Sequence, residues 1–334
     1  MKIDIYTHAA PPRYKERLYK YLERKPPAHA SVKAFWEMHL SLTDQKERMR
    51  VLSGFEDVAQ VLTCSLPPLD EIVNPKEGAE LAKIANDEMA EWVAKDPKKY
   101  VAAIANLPLT DVEASLREAE RAIKELGFKG VQIFTSVKGK PLSSEEFMPL
   151  YKMMSDFDLP IWIHPFRRSS TPDYPTEQSS LHQIAILFGW PYETTLAMTR
   201  LVFAGIFEKF PTLKFITHHL GGMIPYYAGR IVVHYDEGLE RLGQKVFQGL
   251  KKHPIEYFKM FYSDTAINGN VSGVRCGYDF FGEDRLLFGT DMPFDIENGA
   301  AGLRQTIEAI EAMNLPEPSK KKIYEGNARR LLHL

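Results

Sequence analysis

Eight short β-rich runs recur along this 334-residue chain, and a helical pattern lies between most of them. The runs are residues 2–6, 57–63, 100–106, 129–134, 159–164, 213–217, 260–263 and 285–290. Several are continuously apolar, as strands covered on both faces should be. The helical stretches are 77–95, 112–126, 144–156, 194–210, 271–281 and 300–313. Thr110-Asp-Val-Glu113 and Ser143-Ser-Glu-Glu146 combine N-cap residue types with early acids, as helix starts do. Alternation of this kind builds parallel sheet, and eight repeats of it predict an α/β fold, a (β/α)8 TIM barrel. The competing doubly wound sheet, in its dinucleotide-binding form, needs a glycine-rich turn after its first strand. Here that turn reads His8-Ala-Ala-Pro-Pro12.

A barrel of this kind fits a single domain over residues 1–334. Two stretches exceed simple connections: 9–56 reads as a helical insertion after strand 1, and 165–193 as a long loop after strand 5. Ordered insertions on the face that carries the chemistry commonly make a lid or a specificity wall. A net charge of −2 gives no electrostatic footprint for nucleic acid or an anionic membrane, so the expected partner is a small molecule. No apolar run is long enough to span a bilayer. Only Cys64 and Cys276 occur, without CxxC spacing, and the first residues pass directly into a strand interrupted by Asp4. These features predict a reducing cytoplasm.

Function is signalled at the strand ends. His8, His164, the pair His218-His219 and Asp291 each sit at or just past the last residue of a different run. A barrel gathers such positions at one face. Histidine and aspartate are natural ligands for a divalent ion, which supplies a nucleophilic hydroxide or polarises a substrate oxygen. Each residue also has a plainer reading: His8 as a loop or cap group, His164 as a backbone-bonded imidazole, Asp291 as a helix cap. Strand alternation lets one of His218 and His219 face inward and leaves the other structural. Asp264 reads equally as structural or functional. Phe166, Trp190, Met292 and Phe294 suit an apolar wall for a planar ring, or ordinary packing at the barrel top. Arg167-Arg168 suits a carboxylate, or a solvated loop.

Three segments resemble the amidohydrolase-superfamily branch called amidohydrolase 2, which includes aminocarboxymuconate-semialdehyde and resorcylate-type aromatic acid decarboxylases. They are Ile163-His164-Pro165-Phe166, His219-Leu-Gly-Gly-Met-Ile-Pro225 continuing to Gly229-Arg230, and Phe288-Gly-Thr-Asp291-Met-Pro293-Phe294. The resemblance implies that His8, His164 and Asp291 bind one divalent metal ion, zinc or alternatively manganese. It also makes Asp291 a proton carrier, His219 the catalytic histidine and His218 secondary. Arg230 matches an arginine that enters a neighbouring subunit's site to hold a carboxylate, which implies a homodimer. Arg48, or alternatively Arg50, matches a second carboxylate-binding arginine. The implied activity is metal-dependent, non-oxidative decarboxylation of a small aromatic or unsaturated carboxylic acid.

One position departs from the pattern. The family has histidine or glutamate two residues before His8, and this chain has Tyr6. A phenol, with its ordinary pKa near ~10, binds zinc less readily than imidazole. Three outcomes follow: a site of three protein ligands, which we expect, a tyrosinate ligand, or a weakened site. Hydrolysis of a lactone or C–C bond by the same metal is the alternative activity, and a catalytically impaired ligand-binding barrel is the third.

Overall fold

The computed structural model describes residues 1–243 and 250–334. Its barrel strands are β1 (Lys2–Ala9), β2 (Val58–Cys64), β3 (Tyr100–Ala103, resuming as Ala105–Asn106), β4 (Val131–Phe134), β5 (Ile161–His164), β6 (Phe215–Thr217), β7 (Tyr262–Asp264) and β8 (Leu286–Leu287). All neighbouring pairs are parallel and follow chain order. The break in β3 at Ile104 is spanned by a bond from the Ile104 N–H to the Leu62 carbonyl, 2.9 Å. The ring closes where Thr7 bridges Met292 and the Ile5 N–H reaches the Phe288 carbonyl at 3.0 Å. This is the (β/α)8 barrel that the alternation predicts.

The long helices around it are α1 (Pro12–Leu22), α2 (Pro26–Met38), α3 (Gln45–Leu52), α4 (Pro75–Lys95), α5 (Val112–Lys124), α6 (Met148–Asp156), α7 (Trp190–Phe203), α8 (Ala228–Leu242), α9 (Val271–Phe281) and α10 (Ala300–Ala312). Of the two predicted caps, Asp111 accepts from the Ala114 N–H at 2.9 Å and starts α5. Ser144 instead donates its hydroxyl to the Pro141 carbonyl and precedes a tight turn at Glu145–Phe147. The patterned stretch 194–210 is broken at Gly205, whose φ of +67° ends α7.

The insertion after β1 consists of α1, α2 and α3, with Trp36 and Tyr14 buried between them and the barrel. It is fastened from outside: Glu88 on α4 accepts the N–H groups of Arg13 and Tyr14, at 3.0 and 2.7 Å, satisfying donors that α1 leaves free. Inside the barrel, Ile3, Ile5, Val61, Ile104, Trp162 and Ile216 form the packed core, floored by Leu331 and Leu332. Each fully buried side chain of this size contributes about 1.5–3 kcal/mol. A bulge in β1 between Asp4 and Thr7 lets both Ile5 and Tyr6 enter that core, which strict alternation forbids. No helix among the described residues is long and apolar enough to cross a membrane.

Candidate active site

Register brings the strand-end groups together. His8 on β1 pairs with Thr63 on β2, and His164 on β5 pairs with Phe134 on β4, all at the carboxyl ends of their strands. One nitrogen or oxygen from each of His8, His164, His218 and Asp291 lies within 4.8 Å of the others. The three imidazoles are oriented alike. His8 Nδ1 meets Thr63 Oγ1 at 3.2 Å, His164 Nδ1 meets the Pro165 carbonyl at 2.6 Å, and His218 Nδ1 is bonded to Asp264. Outer partners of this kind fix the tautomer and turn the other ring nitrogen toward a common point.

At that point His8 Nε2 and His218 Nε2 stand 3.0 and 3.1 Å from Asp291 Oδ1. All three atoms are buried, yet none has a partner in hydrogen-bonding geometry. Buried polar atoms are rarely left so. Lone pairs aimed at a shared space, rather than at each other, fit a divalent cation bound by imidazole and carboxylate. The electrostatics agree. Burial lowers the pKa of His8, and burial with the nearby imidazoles holds His164 well below its usual value. Burial opposes charge on His218 too, but Asp264 and Asp291 outweigh it and push this group up to about 10. Burial also opposes ionisation of Asp291, which His218 overcomes, holding the carboxyl well below its ordinary range. A field that draws a proton to His218 draws a cation equally.

Tyr6 is not in this group. Its ring lies flat on His218, centroids 3.8 Å apart at 16°, and its buried hydroxyl has no partner. Burial, then Asp264 and Asp291, push the phenol well above its usual pKa, which keeps it neutral.

The histidine pair departs from the expected alternation. β6 ends at Thr217, and the chain turns with φ of +53° at His219 and +56° at Leu220. Both rings therefore face the site, stacked 3.8 Å apart. His219 Nε2 is 3.5 Å from Asp291 Oδ2, and its ring stacks toward Trp190 at 6.5 Å. Gly222 makes this turn possible. With φ of +62°, an added Cβ would stand 2.4 Å from the Pro191 carbonyl oxygen and 2.8 Å from Thr195 Oγ1. Gly222→Ala should destabilise the fold by about 1–3 kcal/mol and shift His219 away from Asp291. Thermal unfolding and turnover measure the two effects, and an unchanged melting temperature with unchanged rate would refute the assignment.

Above the cluster opens a cavity of about 380 Å³, with His219 and Asp291 in its wall. Trp190 and Phe294 line it as the sequence suggests, joined by Phe35 from the inserted α2, by Ile186 and by Ile267. The insertion thus forms part of the wall, with Phe35 packed 5.2 Å from Phe294. Phe166 is elsewhere. Its N–H is held by Thr135 Oγ1 at 3.1 Å, and it lines a separate cavity with Arg167 and Arg168. Those arginines pair with Glu193 and Glu71. Met292 is buried against Gln60.

The arginines expected to hold a carboxylate are also displaced from the cavity. Arg48 is fully buried, donating to Gln60 Oε1 at 2.8 Å and to the His8 carbonyl at 2.6 Å. It braces the backbone under His8 rather than lining the cavity. Arg50 is exposed and bonded to Glu47. Arg230 is exposed near the start of α8, without an ion pair to any described residue.

Residues 65–334 match the family model described as Amidohydrolase. The chain belongs to this amidohydrolase family. A gamma-resorcylate decarboxylase from Polaromonas is 30% identical over 88% of this chain and 88% of its own. A 2-amino-3-carboxymuconate-6-semialdehyde decarboxylase from Dictyostelium discoideum is 28% identical, covering 100% of this chain and 92% of its own. The crystal structure of a dihydroxybenzoic acid decarboxylase from Polaromonas, with bound manganese and the inhibitor 2-nitroresorcinol, superposes with a TM-score of 0.80 at 26% identity. That superposition covers 100% of this chain and 97% of the other. The family model begins after β1, so both Tyr6 and His8 of this amidohydrolase lie outside its matched residues.

Proposed function

We propose that this amidohydrolase is a metal-dependent carboxy-lyase that removes CO2 from a small aromatic carboxylic acid without oxidation. The observation that carries it is the convergence of unpartnered His8 Nε2 and Asp291 Oδ1 on one buried point beneath an apolar cavity. His8, His164 and Asp291 are assigned as ligands of one divalent ion. Three-ligand sites with an open position suit zinc, and the manganese of the Polaromonas enzyme makes that ion the alternative. When bound, the ion supplies positive charge that holds and polarises oxygen substituents of the acid.

The remaining chemistry falls to the chain. Trp190, Phe294, Phe35 and Ile267 clamp a flat ring and exclude water from it. No lysine or arginine is among the described residues of this wall. This favours a hydroxybenzoate-type monoacid over a diacid, unless a second copy contributes Arg230. We assign Arg230 and the exposed Tyr226, Tyr227 and Val233 around it to a homodimer face. Asp291 takes a proton from solvent through His219 and passes it to the ring carbon that bears the carboxylate. As the C–C bond breaks, its electron pair stays on the ring carbon, CO2 departs neutral, and the new C–H bond receives the proton.

The test is CO2 release from a panel of hydroxybenzoates and muconate-type acids, before and after chelation and readdition of Zn2+ or Mn2+. Release from an ortho-hydroxybenzoate, lost on chelation and restored by the ion, is expected. A metal-loaded protein that releases no CO2 but opens lactones would overturn the reading in favour of hydrolysis.

A further inference from the structure

We infer that His218 supplies the metal ligand that β1 lacks at Tyr6, so that β6 rather than β1 completes the protein ligand set. The inference rests on the metal-dependent reading above and concerns how this chain builds the site. His218 shares the geometry of His8. It is fully buried, its Nδ1 is engaged from outside, and its Nε2 is aimed inward without a hydrogen bond. Its Nε2 lies as close to Asp291 Oδ1 as that of His8, 3.1 against 3.0 Å. Asp264 holds the outer nitrogen, an arrangement that orients a ligating imidazole and raises its basicity. His219 does not share this geometry. Its Nε2 turns to Asp291 Oδ2, and its Nδ1 is the unpartnered atom.

Tyr6 is excluded from the same point by its stacking. An ion bound through the His218 Nε2 lone pair lies in the plane of the His218 ring. With ring centroids 3.8 Å apart at 16°, the phenol lies over the face of the His218 ring and not in the plane to which that lone pair points. The aromatic face of Tyr6 instead pins the His218 ring between itself and His219, both at 3.8 Å. The two residues are thus complementary: a ring on β1 that does not ligate, supporting a ring just past β6 that can. Together with His8, His164 and Asp291 this gives a three-histidine, one-carboxylate set.

The experiment compares the full-length protein with His218→Ala, Tyr6→Phe and the double variant His218→Ala/Tyr6→His. Each is stripped of metal, checked for folding by circular dichroism, and titrated calorimetrically with Mn2+ and Zn2+. Loss of a ligand should weaken binding by more than the about 10–100-fold typical of removing an outer partner, so His218→Ala should lose more than about 100-fold. Tyr6→Phe keeps the stacking ring and should bind as the parent does. The double variant should recover part of the lost affinity. Pulsed EPR of the Cu2+-loaded forms should count one fewer coordinated imidazole in His218→Ala than in the parent. Unimpaired binding by His218→Ala, with loss in Tyr6→Phe, would overturn the assignment while leaving the metal-dependent function intact. A parent protein that binds neither ion would overturn both.

Discussion

Asp291→Asn should lower decarboxylation by about 10²–10⁴-fold even when Mn2+ is saturating, the range a positioned proton-transfer group supplies. The carboxylate is the hub of the site: Oδ1 lies 3.0 Å from His8 Nε2 and 3.1 Å from His218 Nε2, while Oδ2 faces His219 Nε2 at 3.5 Å. Asparagine keeps the shape and one carbonyl oxygen but loses the charge and the ability to carry a proton. It is also the substitution the backbone best accepts. Asp291 sits at φ +65°, a region that asparagine enters more readily than other L residues, and its N–H bond to the Tyr6 carbonyl needs no side chain. Folding should therefore survive, and metal affinity should weaken because an anionic ligand is gone. Turnover and Mn2+ binding, measured together, separate the two losses. Full recovery of the parental rate at saturating Mn2+ would show that Asp291 only holds the ion and moves no proton.

The barrel was legible because its determinants are periodic. A covered strand followed by an amphipathic helix leaves a trace in eight consecutive segments, and it forces the strand ends His8, His164 and Asp291 onto one face. The place of His218 was not legible, because it depends on where regular backbone stops. Alternation assigns opposite faces to adjacent residues only while the strand continues, and β6 ends one residue earlier, at Thr217. The left-handed turn at His219 and Leu220 then swings both rings inward. Gly221-Gly222 downstream was the available signal, since two adjacent glycines mark backbone that leaves the regular path.

Residues misplaced from sequence share a different cause. Arg48 has the chemistry to bind a carboxylate, but its Nε and Nη1 are engaged by Gln60 and two backbone carbonyls, a placement that only tertiary packing decides. Phe166 follows His164 by two residues, yet its side chain lines a neighbouring cavity because Pro165 and the bond to Thr135 redirect the chain. Phe35 and Ile186 come from segments after β1 and β5 whose docking depends on contacts far away in sequence. Both residues line the cavity that holds His219 and Asp291.

Asp4→Asn should make the protein progressively more stable than its parent as pH rises from 4 to 7, by up to about 4 kcal/mol. Asp4 lies at the closing seam, where Oδ1 accepts the N–H of Thr290 at 3.0 Å and Oδ2 accepts its hydroxyl at 2.5 Å. Burial raises its pKa from 3.8 to about 7, with the Thr290 bonds and the charge of Arg48 only partly opposing that rise. In this interval the folded protein keeps a proton that the unfolded chain has released, so stability falls as pH increases. The difference between 3.8 and about 7 corresponds, at 1.36 kcal/mol for each tenfold change in proton affinity, to the figure of about 4 kcal/mol. Asparagine mimics the protonated state: its oxygen can take the Thr290 N–H, and its amide can donate to the Thr290 hydroxyl. Below pH 4 the two proteins should therefore have similar stability, and above pH 7 their difference should be constant. Carboxylates held below their usual pKa, such as Glu77, oppose the trend in both proteins and cancel in the difference. Denaturant unfolding of the metal-stripped proteins across this pH range measures it. Parallel curves would mean that Asp4 is already ionised at the seam and that its three hydrogen bonds outweigh the cost of burial.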